Sequence, residues 1–342
     1  MWKTASVLIA IVSILVTLGI VMLASTSGVR GETVFKDSTY FVKRQAVWLA
    51  LSALVAAAAA GMDYRRWRTL AVPLFLLSVV LLAVVLVPGI GHRIKGSSRW
   101  LKCGPMNFQP SELAKFCVVV ALAWWVARVQ RHMGELKRGV VIPLAVLAVV
   151  LGLVFFEPDF GTAVLIAAVG FSVLFVGGAR AGYLLVAAAA GLVAFILAVM
   201  QDAERAGRVL VFLDPWKYEK GEGWQVVNAL YAFVVGGGQG VGLGQGMQKH
   251  HYLPEAHTDF IFAIVGEELG LAASLLVVVL FLGLFLCGLR ISFGAPDLFG
   301  RILGFGLTFM ITLQAAINIG VVTGCLPPRA SPCRSSVLAD PA

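Results

Sequence analysis

Nine runs of about 15 to 29 mainly apolar residues recur along this chain, at roughly 6–24, 46–61, 70–90, 113–127, 139–155, 160–177, 183–200, 260–288 and 302–324. A helix needs about twenty such residues to cross roughly 30 Å of hydrocarbon. Inside a bilayer every backbone amide must find its partner within the protein. Repeated runs of this kind therefore predict an all-α polytopic membrane protein, a bundle of about nine transmembrane helices. Composition agrees: 13% of the 342 residues are charged and 59% hydrophobic, about half the charge that clothes a soluble domain. A soluble enzyme, a disordered chain and a coiled coil are excluded. The second and fifth runs are short and rich in alanine or valine, which predicts tilted helices or helices packed inside the bundle.

The net charge of +9 sits in short turns between the apolar runs, where it orients spans and does not mark nucleic-acid binding. Arg65, Arg66 and Arg68 crowd one turn; Arg128, Arg131, Lys137 and Arg138 crowd another. Placing both turns in the cytoplasm puts the N-terminus inside, although Arg93, Lys95, Arg99 and Lys102 add charge to the opposite side. The stretches 25–45, 91–112, 156–159 and 201–258 then face outward. The last of these is a long polar excursion rich in Gly, Trp, Tyr and His, and a connection of that length usually has a function. Lys3 precedes the first run without an Ala-x-Ala site, so that run reads as a span and not a removed signal. Five cysteines (Cys103, Cys117, Cys287, Cys325 and Cys333) lack metal-ligand spacing; Cys117 and Cys287 read as small buried hydrophobes.

Four constellations on the outward stretches carry chemistry. His257-Thr258-Asp259 precedes a long apolar helix, where an anion is favoured by unpaired amides and the helix dipole. One reading is a plain N-cap by Thr258 or Asp259; the other is a surface carboxylate that accepts a proton from a sugar hydroxyl. Gln109-Pro110-Ser111-Glu112 opens another helix with Ser111 as its cap. Glu112 and Lys115, three residues apart, share a face and should pair or face a cavity, as an ion pair or as a functional site. Glu157-Pro158-Asp159-Phe160-Gly161-Thr162 places two carboxylates in a tight turn, which needs no further purpose. Gly236 to Gly246 forms a glycine-rich loop without the βαβ context of a nucleotide site. Its amides are placed to approach a pyrophosphate, with Lys249, His250 and His251 following. Glu267-Glu268, inside the eighth run, requires partners or water.

These motifs, with Gly223-Trp224-Gln225-Val226-Val227, Tyr252-Leu253-Pro254-Glu255-Ala256-His257, Gly266-Glu267-Glu268-Leu269-Gly270 and Asn318-Ile319-Gly320-Val321, resemble those of the SEDS (shape, elongation, division and sporulation) family of bacterial cell-wall glycosyltransferases. Phe212-Leu213-Asp214-Pro215-Trp216 and Leu253-Pro254-Glu255-Ala256-His257 resemble the division branch more than the elongation branch. The resemblance implies polymerisation of lipid II into glycan strands on the outer face of the cytoplasmic membrane. A lipid II flippase and a non-catalytic scaffold are the alternatives. Asp259 matches the catalytic aspartate. Substrate contacts are implied at Glu112, Lys115, Glu157, Asp159, Gln225, Lys249, Glu255, His257 and Thr258. One base suffices, because pyrophosphate leaves readily without the protonation that glycosidases supply. Lys115 or Lys249, or a divalent cation, would stabilise the leaving charge. No cofactor is otherwise implied; the implied partners are a class B penicillin-binding protein transpeptidase and other divisome proteins.

After Gly324 the resemblance stops. Residues 1–326 read as one SEDS membrane domain whose tenth helix is missing, and 327–342 as an aberrant polar tail. Joining the third base of each codon from Arg329 onward to the next two bases, with permitted codons, yields Ser-Phe-Thr-Leu-Pro-Phe-Ile-Ser-Ser-Gly-Gly-Ser-Ser, the family's own continuation. A frameshift near Pro327–Arg329 is the expectation; resequencing there would defeat it if the alternative frame stopped without encoding a further helix.

Overall fold

The computed structural model describes residues 2–94, 97–103, 106–201, 203–219, 221, 223–249, 253 and 258–327. The chain is a helical membrane bundle. In order it forms α1 (Trp2–Phe35), α2 (Tyr40–Ala60), α3 (Arg65–Val85), strands β1 (Gly91–Ile94), β2 (Ser97–Cys103) and β3 (Met106–Phe108), then α4 (Pro110–Val129) and α5 (Ile142–Phe156). There follow α6 (Phe160–Val176), α7 (Ala181–Met200), α8 (Ala203–Leu213), α9 (Trp224–Gly236), α10 (Ile261–Phe293) and α11 (Leu298–Val322). Among the described residues seven helices, α1, α2, α3, α5 with the turn before it, α7, α10 and α11, are long and apolar enough to cross a membrane. α6 is a shorter apolar helix of 17 residues. α4, 20 residues long, buries most of its surface.

Two apolar cores hold the bundle. In the first, Val119, Leu122 and Val126 of α4 meet Val150 and Val154 of α5, Val173 and Leu174 of α6, and Phe299 and Ile302 of α11. In the second, Met22 of α1, Ala229 and Ala232 of α9, Ala263 and Ile264 of α10 and Val322 of α11 come together. Small residues at these crossings let helices approach closely, which is the main source of packing where lipid is as apolar as the side chains. α2 departs from expectation: it has no buried residue and packs beside α1 at the rim. Its alanines face outward instead of filling the interior. α5 buries about a third of its span.

The turns sort onto two ends. On one, Tyr64 donates a 2.5 Å hydrogen bond to Asp297, and the side chain of Arg180 lies beside the turn at Gly134. On the other, Arg99 donates to the carbonyls of Glu157 and Pro158, and Ser25 of α1 reaches Glu268 of α10. The arginine-rich turns share the first end and the motifs share the second.

Two stretches expected as loops have structure. Residues 91–94, 97–103 and 106–108 form a three-stranded antiparallel sheet, ordered β1-β2-β3, with Gly91 opposite Leu101 and Leu101 opposite Phe108. Within 201–258 lies α9, whose buried Gln225, Ala229, Ala232 and Gly236 recur at helical spacing. An apolar stretch of this length is too short to span and suits a re-entrant segment. The tail 328–342 lies outside the described residues.

Candidate functional site

The glycine-rich loop gains its shape from a break in α10. Gly270 has φ +77° and ψ −173°, a conformation open to glycine. An unbroken helix would bond Leu271 N–H to the carbonyl of Glu267. Here Leu271 N–H donates to Gly237 O at 3.0 Å, while Glu267 O and Glu268 O accept from Val241 and Gly242, each at 3.0 Å. The loop thus satisfies the carbonyls that the break frees. The fit admits no side chain: a Cβ on Gly270 would fall 2.4 Å from Gly240 N.

The two carboxylates complete the clamp. Glu267 and Glu268 are 0% and 1% exposed, about 10 Å along the helix from its start. Glu267 accepts from the amides of Met247 (2.7 Å) and Gln248 (3.2 Å). Glu268 accepts from Gly244 N–H (3.0 Å), from Gly246 N–H (3.3 Å) and from Ser25 Oγ (2.7 Å), and pairs with Lys249 Nζ at 2.7 Å. Lys249 also donates to Gly244 O and Ser25 Oγ. Two anions are stable here because each is ringed by donors. This corrects two expectations. The loop amides and Lys249, placed by sequence against a pyrophosphate, are already occupied by Glu267 and Glu268, and the lysine side chain is 4% exposed.

A second knot lies at the same end. Asp159 caps α6, accepting from Thr162 N–H (3.2 Å) and Thr162 Oγ1 (2.9 Å), and also from Gln109 Nε2 at 3.3 Å. Arg99 stands 3.9 Å from it and donates to Glu157 O (2.9 Å) and Pro158 O (2.6 Å). The local reading of Asp159 as a turn residue accounts for its contacts. Glu157 differs: its side chain is sealed, and both carboxylate oxygens lack a hydrogen-bond partner among the described residues. Burial, then the charge of Asp159, pushes its pKa up from 4.5 to about 8, with Arg99 opposing. Glu157 is therefore a neutral acid at pH 7.

α4 starts at Pro110 with Gln109 as its N-cap residue, so Ser111 is not the cap; it accepts from Gln109 Nε2 instead. Glu112 and Lys115 pair at 2.7 Å, as their spacing predicts. Lys115 is buried and also donates to Gln314 Oε1 of α11 at 2.8 Å, while Glu112 stays half exposed.

Asp259 stands at the rim in a turn just before α10 and is exposed. The cap position belongs to Phe260, with no side-chain capping bond, so Asp259 does not serve the helix end. No hydrogen bond to its carboxylate is formed by the described residues. Thr258 beside it is exposed and Gln225 is buried in the first turn of α9. Glu255, His257, His250 and His251 lie outside the described residues. Among the described residues no group of three or more His, Cys, Asp or Glu side chains could hold a metal ion.

Ser25 and Gln314 were not singled out by sequence, and Arg99 entered only as one of the outer-side charges. A polar Gln314 amid an apolar run was the available signal for one of them.

Comparison with known proteins places the chain in a family. The profile of the FtsW/RodA/SpoVE family, described as a cell cycle protein, matches residues 5–330. A protein named "Probable peptidoglycan glycosyltransferase FtsW" from Trichlorobacter lovleyi is 38% identical over 323 residues, covering 94% of this chain and 85% of that one. A solved chain described under "Structural coordination of polymerization and crosslinking by a peptidoglycan synthase complex" superposes with TM-score 0.77 at 29% identity, covering 96% of this chain and 88% of that one. A variant of the rod shape determining protein RodA from Thermus thermophilus superposes with TM-score 0.68 at 27% identity, covering 96% and 88%.

Proposed function

The chain belongs to the FtsW/RodA/SpoVE family, and we propose that it is a peptidoglycan glycosyltransferase that polymerises lipid II, with Asp259 as its general base. The sugar 4-hydroxyl of one lipid II attacks the anomeric carbon of the other as its proton passes to the Asp259 carboxylate. The bond from that carbon to the pyrophosphate oxygen breaks, and undecaprenyl pyrophosphate leaves with the electron pair. Its negative charge needs no proton at neutral pH, so a single carboxylate balances the step.

The carrying observation is that Asp259 is exposed at the rim and released from capping duty, while every other outer-end carboxylate described above except the half-exposed Glu112 is capped, clamped or sealed. Orientation belongs to the same reading: the arginine-rich turns face the cytoplasm and Asp259 the outside of the cytoplasmic membrane. The exposed Glu112 serves as the substrate contact nearest the bundle interior, held in place by the buried Lys115 that it pairs with. The likeness to a chain of a peptidoglycan synthase complex supports a class B penicillin-binding protein as partner, and the FtsW-named relative supports work at the division septum. A flippase would need an open polar path. Glu267, Glu268 and Lys115 are all buried and matched to fixed donors or acceptors, which favours the enzyme.

The test is polymerisation of lipid II by the purified full chain. Asp259→Asn should abolish polymer, a loss of at least about a hundredfold, with an unchanged melting temperature. Polymer retained by that variant would overturn the assignment of the base. Headgroup translocation without polymer by the parent would overturn the enzyme itself.

A further inference from the structure

At the end of the bundle opposite Asp259, a cavity of about 590 Å³ opens where α4 gives way to the turn before α5. Arg128, Arg131, His132 and Arg138 line it, and its apolar wall includes Trp125 and Ile142; among the described residues its lining holds no acidic side chain. Its size is that of an ordinary small-ligand site.

The cradle is built, not incidental. Trp125 Nε1 donates to Arg138 O at 3.0 Å, tying the end of α4 to the following turn. The Arg128 guanidinium lies 5.3 Å above the Trp124 ring, which holds it by a cation–π contact. The turn closes so tightly that a Cβ on Gly139 would fall 2.0 Å from Met133 O. Glu135 approaches His132 and Arg138 only at 3.8 and 3.9 Å, and leaves Arg128 and Arg131 without an acidic partner among the described residues.

Three guanidiniums in a concave site recognise phosphate oxygens. Indole and aliphatic walls beside them, at the level where helices leave the hydrocarbon, add the amphipathic match of a lipid. We propose that this cavity binds the phosphate headgroup of an anionic glycerophospholipid, with Trp125 and Ile142 against its glycerol and upper acyl region.

The full-length protein, purified from nanodiscs of phosphatidylcholine containing a minority of phosphatidylglycerol, is analysed for retained lipid. The parent should retain phosphatidylglycerol in preference to phosphatidylcholine. Arg131→Gln/Arg138→Gln should lower that retention about thirtyfold, at about 1 kcal/mol per basic residue, whereas Arg66→Gln/Arg68→Gln, at exposed positions on the same face, should leave it near parent level. Equal loss in both doubles would reduce the effect to general surface charge and overturn the proposal. So would displacement of the lipid by millimolar inorganic phosphate, which would mark a simple anion site, or the absence of any preference in the parent. Should the glutamine double fail to fold, Arg131→Lys/Arg138→Lys keeps the charge but loses the fork; retention should still drop about threefold, and parent-level retention would refute the proposal.

Discussion

Replacing Lys249 by Met tests the clamp on the glycine-rich loop. The Lys249–Glu268 pair is made at 2.7 Å with side chains 4% and 0% exposed, so the substitution strands a carboxylate in the interior. Removing one partner of a buried pair costs roughly 3–5 kcal/mol. Glu268 keeps Ser25 Oγ and the amides of Gly244 and Gly246 as donors, which points to the lower end, about 3 kcal/mol. In a chain of this size that is a fall of about 5 °C in melting temperature, measurable in detergent, with faster proteolysis of the loop at 237–249. Glu268→Gln in the same chain removes the stranded charge and leaves an acceptor for Ser25 and Gly244. The double variant should therefore recover part of the loss, with a coupling of about 2 kcal/mol in the mutant cycle. A melting temperature within a degree of the parent, or a double variant that falls by the sum of the two singles, would refute the clamp.

Glu157 predicts a pH dependence. The native state holds its proton up to about pH 8 and an unfolded glutamate releases it near 4.5, so the unfolded state binds fewer protons in that window and stability falls as pH rises through it. Melting curves of Glu157→Gln and the parent should coincide near pH 4.5 and diverge by about 2–4 kcal/mol in favour of the variant by pH 8, then run parallel; a gap that stays constant or narrows with pH contradicts the burial argument. At the helix break, Gly270→Ala should prevent folding, since both its φ and the 2.4 Å approach to Gly240 forbid a side chain. Gly237→Asn should fold and lose less stability than Gly270→Ala, because nothing lies within 4 Å of its Cβ, although φ +52° with ψ −142° still favours glycine there. Equal damage at both positions would show that backbone conformation alone, and not the close approach, decides.

What was legible in the sequence follows from the range of each interaction. The apolar runs became helices because a span is a local property of about twenty residues. The Glu112–Lys115 pair was readable for the same reason, being one helical turn apart. The clamp was not, since Ser25 and Glu268 are 243 residues apart and only the fold brings them together. α9 escaped because its apolar stretch is too short to count as a span and sits within a polar excursion. The cap position before α10 was misplaced by one residue: Phe260, whose side chain has nothing to donate or accept, occupies it, a tertiary choice that leaves Asp259 at liberty.

The break at Gly270 divides α10 into a leading segment Ile261–Leu269 and the long remainder. Asp259 rides at the tip of that leading segment, about 16 Å from the pivot by helical rise. A swing of ten degrees about the pivot carries the tip nearly 3 Å, and misplacement of a reacting group by about 1 Å already costs about a hundredfold in rate. On the proposal that Asp259 is the base, the rate of strand growth is tied to the geometry of a joint deep in the protein, so that a substitution which shifts the break at Gly270 lowers polymerisation without touching the carboxylate.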